Sequence, residues 1–182
     1  SRSAEMDRVA VVKPHDRVKK VPLTSFDSAA LLRTIGLADG EGKIRASMRG
    51  KYDQVNEFLK VVKETVGSRD EEKEFTVVDC GCGKAYLTIS LYFYLTHVLK
   101  YSKVTVIGVD RRADVIAAAQ KMAAQLDVAD KVEFIEADLG SLVLESLASA
   151  TQRGRCGYGD DIVRGAPSRP DLAHVDMVVS LH

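Results

Sequence analysis

The chain has 182 residues, 46% of them hydrophobic and 29% charged, with 26 Lys and Arg against 26 Asp and Glu. This size and composition are typical of one soluble globular domain with a substantial core, and no apolar run is long enough to predict a membrane-spanning helix. Residues 1–60 carry 12 basic against 8 acidic side chains, an excess too small to argue for a nucleic-acid-binding surface.

The three cysteines, Cys80, Cys82 and Cys156, do not form a disulfide framework. Cys80 and Cys82 flank a single glycine, which is a poor geometry for pairing with each other. We therefore expect an intracellular, reducing compartment, the cytoplasm or alternatively the mitochondrion. A Cys-x-Cys pair also supplies only two of the roughly four ligands that a structural zinc ion needs, so no metal site is predicted.

Residues 1–50 are predicted to form an N-terminal arm with one short helix, over 28–35. An amphipathic helix over 51–66 follows, because six apolar residues recur there at helical spacing. These residues are Tyr52, Val55, Phe58, Leu59, Val62 and Val66.

Strands and helices then alternate. The predicted strands cover 75–79, 103–110, 131–138 and 175–180, and the predicted helices cover 85–100, 114–126 and 142–148. A Gly- and Arg-rich stretch over 151–171 is predicted to be a flexible insertion. Such alternation favours an α/β fold with a Rossmann-like, doubly wound parallel sheet over residues 51–182. Ligands bind at the carboxyl ends of such strands, where Asp79, Asp110 and Asp138 stand.

Two glycines, Gly81 and Gly83, follow the first predicted strand, which is typical of a loop that approaches a nucleotide. A dinucleotide-binding fingerprint needs a third glycine where this chain has the bulky Tyr86. A phosphate-binding P-loop needs Gly-Lys-Ser/Thr, and Lys84 is followed by Ala85. Asp79 would also repel a phosphate. An NAD-type oxidoreductase is therefore disfavoured.

S-adenosylmethionine meets none of these objections, because it has no phosphate and carries two positive groups that a carboxylate favours. Its two adjacent ribose hydroxyls suit one carboxylate, and its adenine amine needs an acceptor. Asp79, Asp110 and Asp138 supply a carboxylate for each need.

The segment Asp79–Thr88 resembles motif I of class I S-adenosylmethionine-dependent methyltransferases, and more narrowly a subfamily with an Asp-x-Gly-x-Gly-Lys-x-Tyr/His-Leu loop. Residues 51–59 resemble that subfamily's Lys-x-x-Gln-x-x-x-Phe helix. Residues 15–20 resemble its N-terminal basic stretch, and residues 175–182 resemble its fourth strand.

The resemblance implies a residue-by-residue assignment. Gly81 and Gly83 would approach the methionine part of the cofactor, Asp110 would bind the ribose, and Asp138 would bind the adenine amine. The implied cofactor-binding set is Asp79, Cys80, Gly81, Gly83, Lys84, Asp110, Arg111, Asp138 and Leu139. Ser180, Leu181 and His182 would line the place where the acceptor meets the methyl group, with His182 a possible base and Ser180 beside it.

Members of this class complete the sheet with further strands, whereas this sequence stops at the fourth, so we expect either a fragment or a fold that a partner completes. Two functions are compatible with these observations. The first is a methyltransferase acting on an RNA or protein acceptor. The second is a catalytically silent, methyltransferase-like scaffold subunit of a ribonucleoprotein or ribosome-assembly complex.

Overall fold

The computed structural model describes residues 21–66, 72–138 and 175–180. Several predictions lie outside these ranges: the basic stretch 15–20, the helix over 142–148, the insertion over 151–171, and the residues Leu139, Leu181 and His182.

The helices agree with the sequence pattern to within a few residues. The helices are α1 (Ala29–Thr34), α2 (Arg49–Val66), α3 (Tyr86–His97) and α4 (Ala113–Gln125), and two short 3₁₀ turns cover Pro22–Thr24 and Ala46–Met48. In α2 the predicted apolar stripe faces the core, with only Phe58 partly exposed. The helix begins two residues earlier than predicted, because it continues directly from the second 3₁₀ turn.

Four parallel strands form one sheet in the order β3-β2-β1-β4. The strands are β1 (Glu74–Cys80), β2 (Lys103–Asp110), β3 (Val132–Glu136) and β4 (Met177–Val179). The chain steps outward from β1 to β2 and β3, then returns to place β4 on the other side of β1. The predicted Rossmann-like parallel sheet is therefore confirmed, and its switch point lies between β1 and β4, where such sheets bind ligands.

Alternate residues of the central strands point into two core clusters. Val77 and Val106 belong to the main cluster, which also holds the buried faces of α2, α3 and α4. Val78 and Ile107 belong to a smaller cluster on the opposite face. The main cluster also contains apolar residues from the segment 21–48, so this segment packs onto the sheet domain.

Asn56 connects this N-terminal segment to α2. Its side chain is 1% exposed. Its Oδ1 atom accepts a hydrogen bond from the backbone N–H of Leu23 at 2.9 Å, and its Nδ2 atom donates to the carbonyl of Tyr52 at 3.0 Å. Both polar ends of a buried amide are thus satisfied, which fixes the first 3₁₀ turn against α2.

None of the helices within the described ranges has the length and apolar character needed to cross a bilayer.

Candidate functional site

The glycine loop that follows β1 is anchored to the end of β2. The backbone N–H groups of Gly81 and Cys82 both donate to the carbonyl of Val109, at 2.8 and 2.9 Å. Gly81 has φ +76° and Gly83 has φ +51°, a left-handed conformation that favours glycine. No heavy atom lies within 4 Å of a Cβ built on Gly81, so the loop presents bare backbone to its surroundings.

The loop ends in a residue under backbone strain. Ala85 has φ 59°, although it carries a side chain, and its N–H donates to the carbonyl of Cys82 at 2.9 Å. A left-handed residue other than glycine costs on the order of 1 kcal/mol, and such strain is concentrated at ligand-binding turns. α3 starts at the next residue, so its free N–H groups lie beside the loop.

Asp79 lies near the end of β1 and is 1% exposed. The hydroxyl of Thr88, on α3, donates to its Oδ2 atom at 2.6 Å. Burial raises the pKa of the Asp79 carboxyl, and the Thr88 hydrogen bond offsets part of this rise. A positive group bound beside Asp79 would stabilise the carboxylate form, which makes this position favourable for a cation.

Asp110 ends β2 and is 8% exposed. Its Oδ2 atom accepts from the N–H of Gly83 at 3.0 Å, which ties the glycine loop to the second strand. Hydrogen bonds from Arg112 are the main reason that the pKa of Asp110 is lowered to about 2. The carboxylate is therefore charged and oriented at neutral pH.

The other predicted site residues occupy different positions around this edge. Asp138 is exposed, two residues beyond the end of β3, and its neighbour Ala137 donates to the carbonyl of Asp110 at 3.0 Å. Ser180 is exposed directly after β4. Lys84 is exposed at the start of the loop-to-helix turn, and Cys80 is half-buried. Asp79, Asp110, Asp138 and Ser180 thus share the carboxyl edge of the sheet.

Both cysteines of the loop are free thiols. Burial, together with the charges of Asp79 and Asp110, raises the pKa of Cys82 to about 12. Burial and Asp79 likewise raise the pKa of Cys80. A raised pKa keeps these thiols protonated at neutral pH, which disfavours a role as nucleophiles.

A cavity of about 450 Å³ lies between the glycine loop and the start of α2. Its volume is in the range of small-molecule sites. One wall carries Asp79, Gly81, Cys82, Gly83, Lys84, Tyr86 and Leu87, and the facing wall carries Ser47, Met48, Lys51, Gln54 and Val55. The start of α2 and the 3₁₀ turn before it therefore line the pocket, a position that neither the amphipathic pattern nor the resemblance over residues 51–59 assigned to them.

Three contributions to the site were not predicted from the sequence. Thr88 fixes Asp79, and Arg112 donates to Asp110; Arg112 and the predicted Arg111 are both exposed. Lys51 and Gln54 line the cavity and are hydrogen-bonded to each other at 2.6 Å. The role of Thr88 could have been inferred from the sequence, because Thr88 is the third residue of α3 and lies about one helical turn from the glycine loop. Choosing between Arg111 and Arg112 required the backbone direction at the end of β2.

Residues 50–182 match a family described as a methyltransferase domain. The chain belongs to this methyltransferase-domain family. The match covers the sheet, the glycine loop and the three strand-end carboxylates, so the predicted methyltransferase class is confirmed at the level of the family. A search of curated proteins found no significant match.

Several solved structures are similar to part of this methyltransferase domain. The human methyltransferase 10 domain containing protein is 16% identical, over 66% of this chain and 51% of its own, with a TM-score of 0.44. A Plasmodium falciparum putative protein-L-isoaspartate O-methyltransferase, in complex with S-adenosyl-L-homocysteine, is 20% identical over 47% of this chain and 38% of its own, with a TM-score of 0.36. The Streptomyces coelicolor geranyl diphosphate C-methyltransferase, which also holds S-adenosyl-L-homocysteine, is 20% identical over 45% of this chain and 27% of its own, with a TM-score of 0.34. The chain thus spans about a quarter to a half of their lengths.

Proposed function

We propose that the protein binds S-adenosylmethionine at the glycine loop and transfers its methyl group to an acceptor held at the end of β4. The observation that carries the proposal is the Asp110 carboxylate, charged and fixed 3.0 Å from the Gly83 amide at the end of the second strand. A carboxylate in this position has two oxygens for the two hydroxyls of a ribose. Asp138, beyond the next strand, is the proposed acceptor for the adenine amine.

The methionine end of the cofactor fits the cavity between the loop and α2. Its ammonium group suits Asp79, whose buried carboxyl gains from a nearby cation. Its carboxylate suits the positively charged and hydrogen-bond-donating groups of the same cavity, namely Lys51, Lys84 and the first N–H groups of α3. Both charges of a zwitterionic group thus find a complementary partner within one pocket.

The same contacts disfavour a dinucleotide. A pyrophosphate above Gly81 would lie close to the buried Asp79, at an unfavourable electrostatic cost. Tyr86 lines the cavity at the position where close helix packing would require glycine. No observation within residues 21–66, 72–138 or 175–180 favours the scaffold alternative, since the loop and its carboxylates are intact.

Methyl transfer is an in-line displacement, for which a protein mainly supplies alignment and electrostatics. S-adenosylmethionine would supply a methyl group bonded to a positive sulfur. β4 pairs with β1 so that Val179 is opposite Asp79, which puts Ser180 at the same edge as the cavity. Ser180 is therefore the proposed start of the acceptor wall. His182, two residues further along the chain, is the proposed base.

We propose that the acceptor is an RNA or a protein. Incubation of the protein with tritiated S-adenosylmethionine and separate RNA and protein fractions tests this part. Label confined to small molecules would contradict the macromolecular acceptor without affecting cofactor binding.

Calorimetry with S-adenosylhomocysteine tests cofactor binding itself. We expect the wild type to bind and Asp110→Ala to bind at least about tenfold more weakly, because hydrogen bonds to a charged group contribute about 1.5–3 kcal/mol. Asp130→Ala is the matched control, since Asp130 is an exposed aspartate paired only at 3.6 Å with Lys131. Absence of binding by the wild type, or equal affinity for the wild type and Asp110→Ala, would refute the proposal.

A further inference from the structure

All four acceptor positions of the Asp110 carboxylate are occupied in this structure. Oδ1 accepts from the Arg112 backbone N–H at 3.1 Å and from Arg112 Nε at 3.0 Å. Oδ2 accepts from the Gly83 N–H at 3.0 Å and from Arg112 Nη2 at 3.2 Å. A carboxylate offers about four lone-pair sites, so no site is left for the hydroxyls of a ribose.

The four donors divide into two pairs with different roles. Each carboxylate oxygen receives one backbone N–H, and these two bonds hold the carboxylate in place. Each oxygen also receives one N–H from the Arg112 guanidinium, which binds as a two-pronged fork. Two adjacent hydroxyls of a ribose would donate to the same two oxygens in the same parallel manner. The guanidinium thus occupies the sites that a ribose needs.

We propose that the Arg112 side chain occupies the ribose subsite in the cofactor-free protein and that the ribose of the cofactor must displace it. The inference rests on the proposed function, since it takes Asp110 as the ribose-binding residue. It makes Arg112 a residue that lowers cofactor affinity, although its charge and position suggest a binding role.

The surroundings of Arg112 allow this exchange. Its side chain is 55% exposed, so it can move into solvent without opening the core. Asp114, the next acidic residue along the chain and in the first turn of α4, attracts the guanidinium electrostatically. The two backbone hydrogen bonds to Asp110 involve no side-chain atom of Arg112, so they survive both the displacement and a substitution at this position.

The test compares Arg112→Ala with Lys121→Ala, which removes an exposed positive charge from the following helix, α4. Binding of S-adenosylhomocysteine is measured by calorimetry. Because an exposed ion pair is weak, we expect Arg112→Ala to bind about two- to fivefold more tightly than the wild type. Lys121→Ala should leave the dissociation constant unchanged.

A second pair of ligands separates competition for the diol from a general effect of charge. Adenosine has both ribose hydroxyls and 2′,3′-dideoxyadenosine has neither, and NMR titration measures affinities in the millimolar range. Arg112→Ala should tighten adenosine binding and leave dideoxyadenosine binding unchanged. A merely structural role of Arg112 would change both ligands equally.

The outcomes are distinguishable. If the wild type binds S-adenosylhomocysteine but Arg112→Ala binds it equally or more weakly, Arg112 does not compete with the ribose and the inference is wrong. An equal gain for adenosine and dideoxyadenosine would overturn it as well. If neither the wild type nor any variant binds S-adenosylhomocysteine, the proposed function fails and the inference falls with it.

Discussion

Gly108, in β2, lies where the glycine loop rests on the sheet. It is opposite Asp79 in the β1–β2 register, two residues before Asp110. A Cβ added here would lie 2.6 Å from Phe134 Cδ1, 2.7 Å from Phe134 Cε1 and 3.1 Å from Cys82 Cβ. A Gly108→Ala variant must therefore displace the Phe134 ring, and the loop that carries Cys82 must shift as well.

The expected cost of Gly108→Ala is that of overpacking a well-filled core, about 1–3 kcal/mol in the free energy of unfolding. For a domain of this size, 1 kcal/mol lowers the melting temperature by roughly 2–4 °C, so we expect a decrease of about 2–12 °C. Thermal unfolding followed by circular dichroism measures it. Because Cys82 belongs to the loop, the affinity for S-adenosylhomocysteine should also decrease.

Two further variants control this prediction. Gly50 lies in α2 with no heavy atom within 4 Å of an added Cβ, so Gly50→Ala should be neutral or stabilise by up to about 1 kcal/mol. Phe134→Leu removes ring atoms that the added Cβ meets, so Gly108→Ala should cost less in that background than in the wild type. An unchanged melting temperature for Gly108→Ala, or an equal cost in both backgrounds, would refute the packing argument.

Three other predictions concern buried or cavity-lining polar groups. Burial raises the pKa of Asp79 above its usual 3.8, so the wild type loses stability as pH rises from about 4 through the raised pKa. Asp79→Asn should therefore have a higher melting temperature than the wild type at pH 7, and this difference should vanish below about pH 4. A difference in melting temperature that grows on acidification would contradict the prediction. Lys51→Ala should weaken the binding of S-adenosylhomocysteine but not that of 5′-methylthioadenosine, which lacks the amino-acid end. Lys63→Ala, on the same helix, should change the affinity for neither ligand. Equal losses of affinity for both ligands would show that Lys51 does not act on the amino-acid end. Asn56→Ala leaves the Leu23 N–H without its partner and should lower the free energy of unfolding by about 1–3 kcal/mol in urea titrations, and a loss below 0.5 kcal/mol would show that the hydrogen bonds matter little.

Much of the fold could be predicted from sequence because its signals are local. The β2 strand begins and ends at the predicted residues, since a run of β-branched residues is bounded by polar ones. The predicted strand at 131–138 is shorter in the structure, ending at Glu136, because the chain leaves the sheet where it meets the end of β2. The predicted helix over 85–100 begins and ends inside those bounds, since its first residue is the left-handed Ala85 and its last turn loosens at Val98.

The site could be predicted only in part, because much of it depends on contacts between distant segments. Asp79, Asp110 and the two glycines follow from strand ends in a parallel sheet. The wall formed by α2 does not, since it depends on how that helix crosses the start of α3. The saturation of the Asp110 carboxylate could not be predicted either, because it depends on the backbone turn that aims Arg112 back at its neighbour. The intracellular location stays a prediction from the cysteine content.

The most direct test of the account is an NMR titration of the ¹⁵N-labelled protein with S-adenosylhomocysteine, which reports where the ligand binds. We predict the largest amide shifts at Gly81, Gly83 and Arg112, with smaller shifts at Lys51 and residues 57–66 unaffected. Shifts absent from the glycine loop and from the end of β2, or confined to other parts of the chain, would contradict the central claim that these strand ends form a cofactor site.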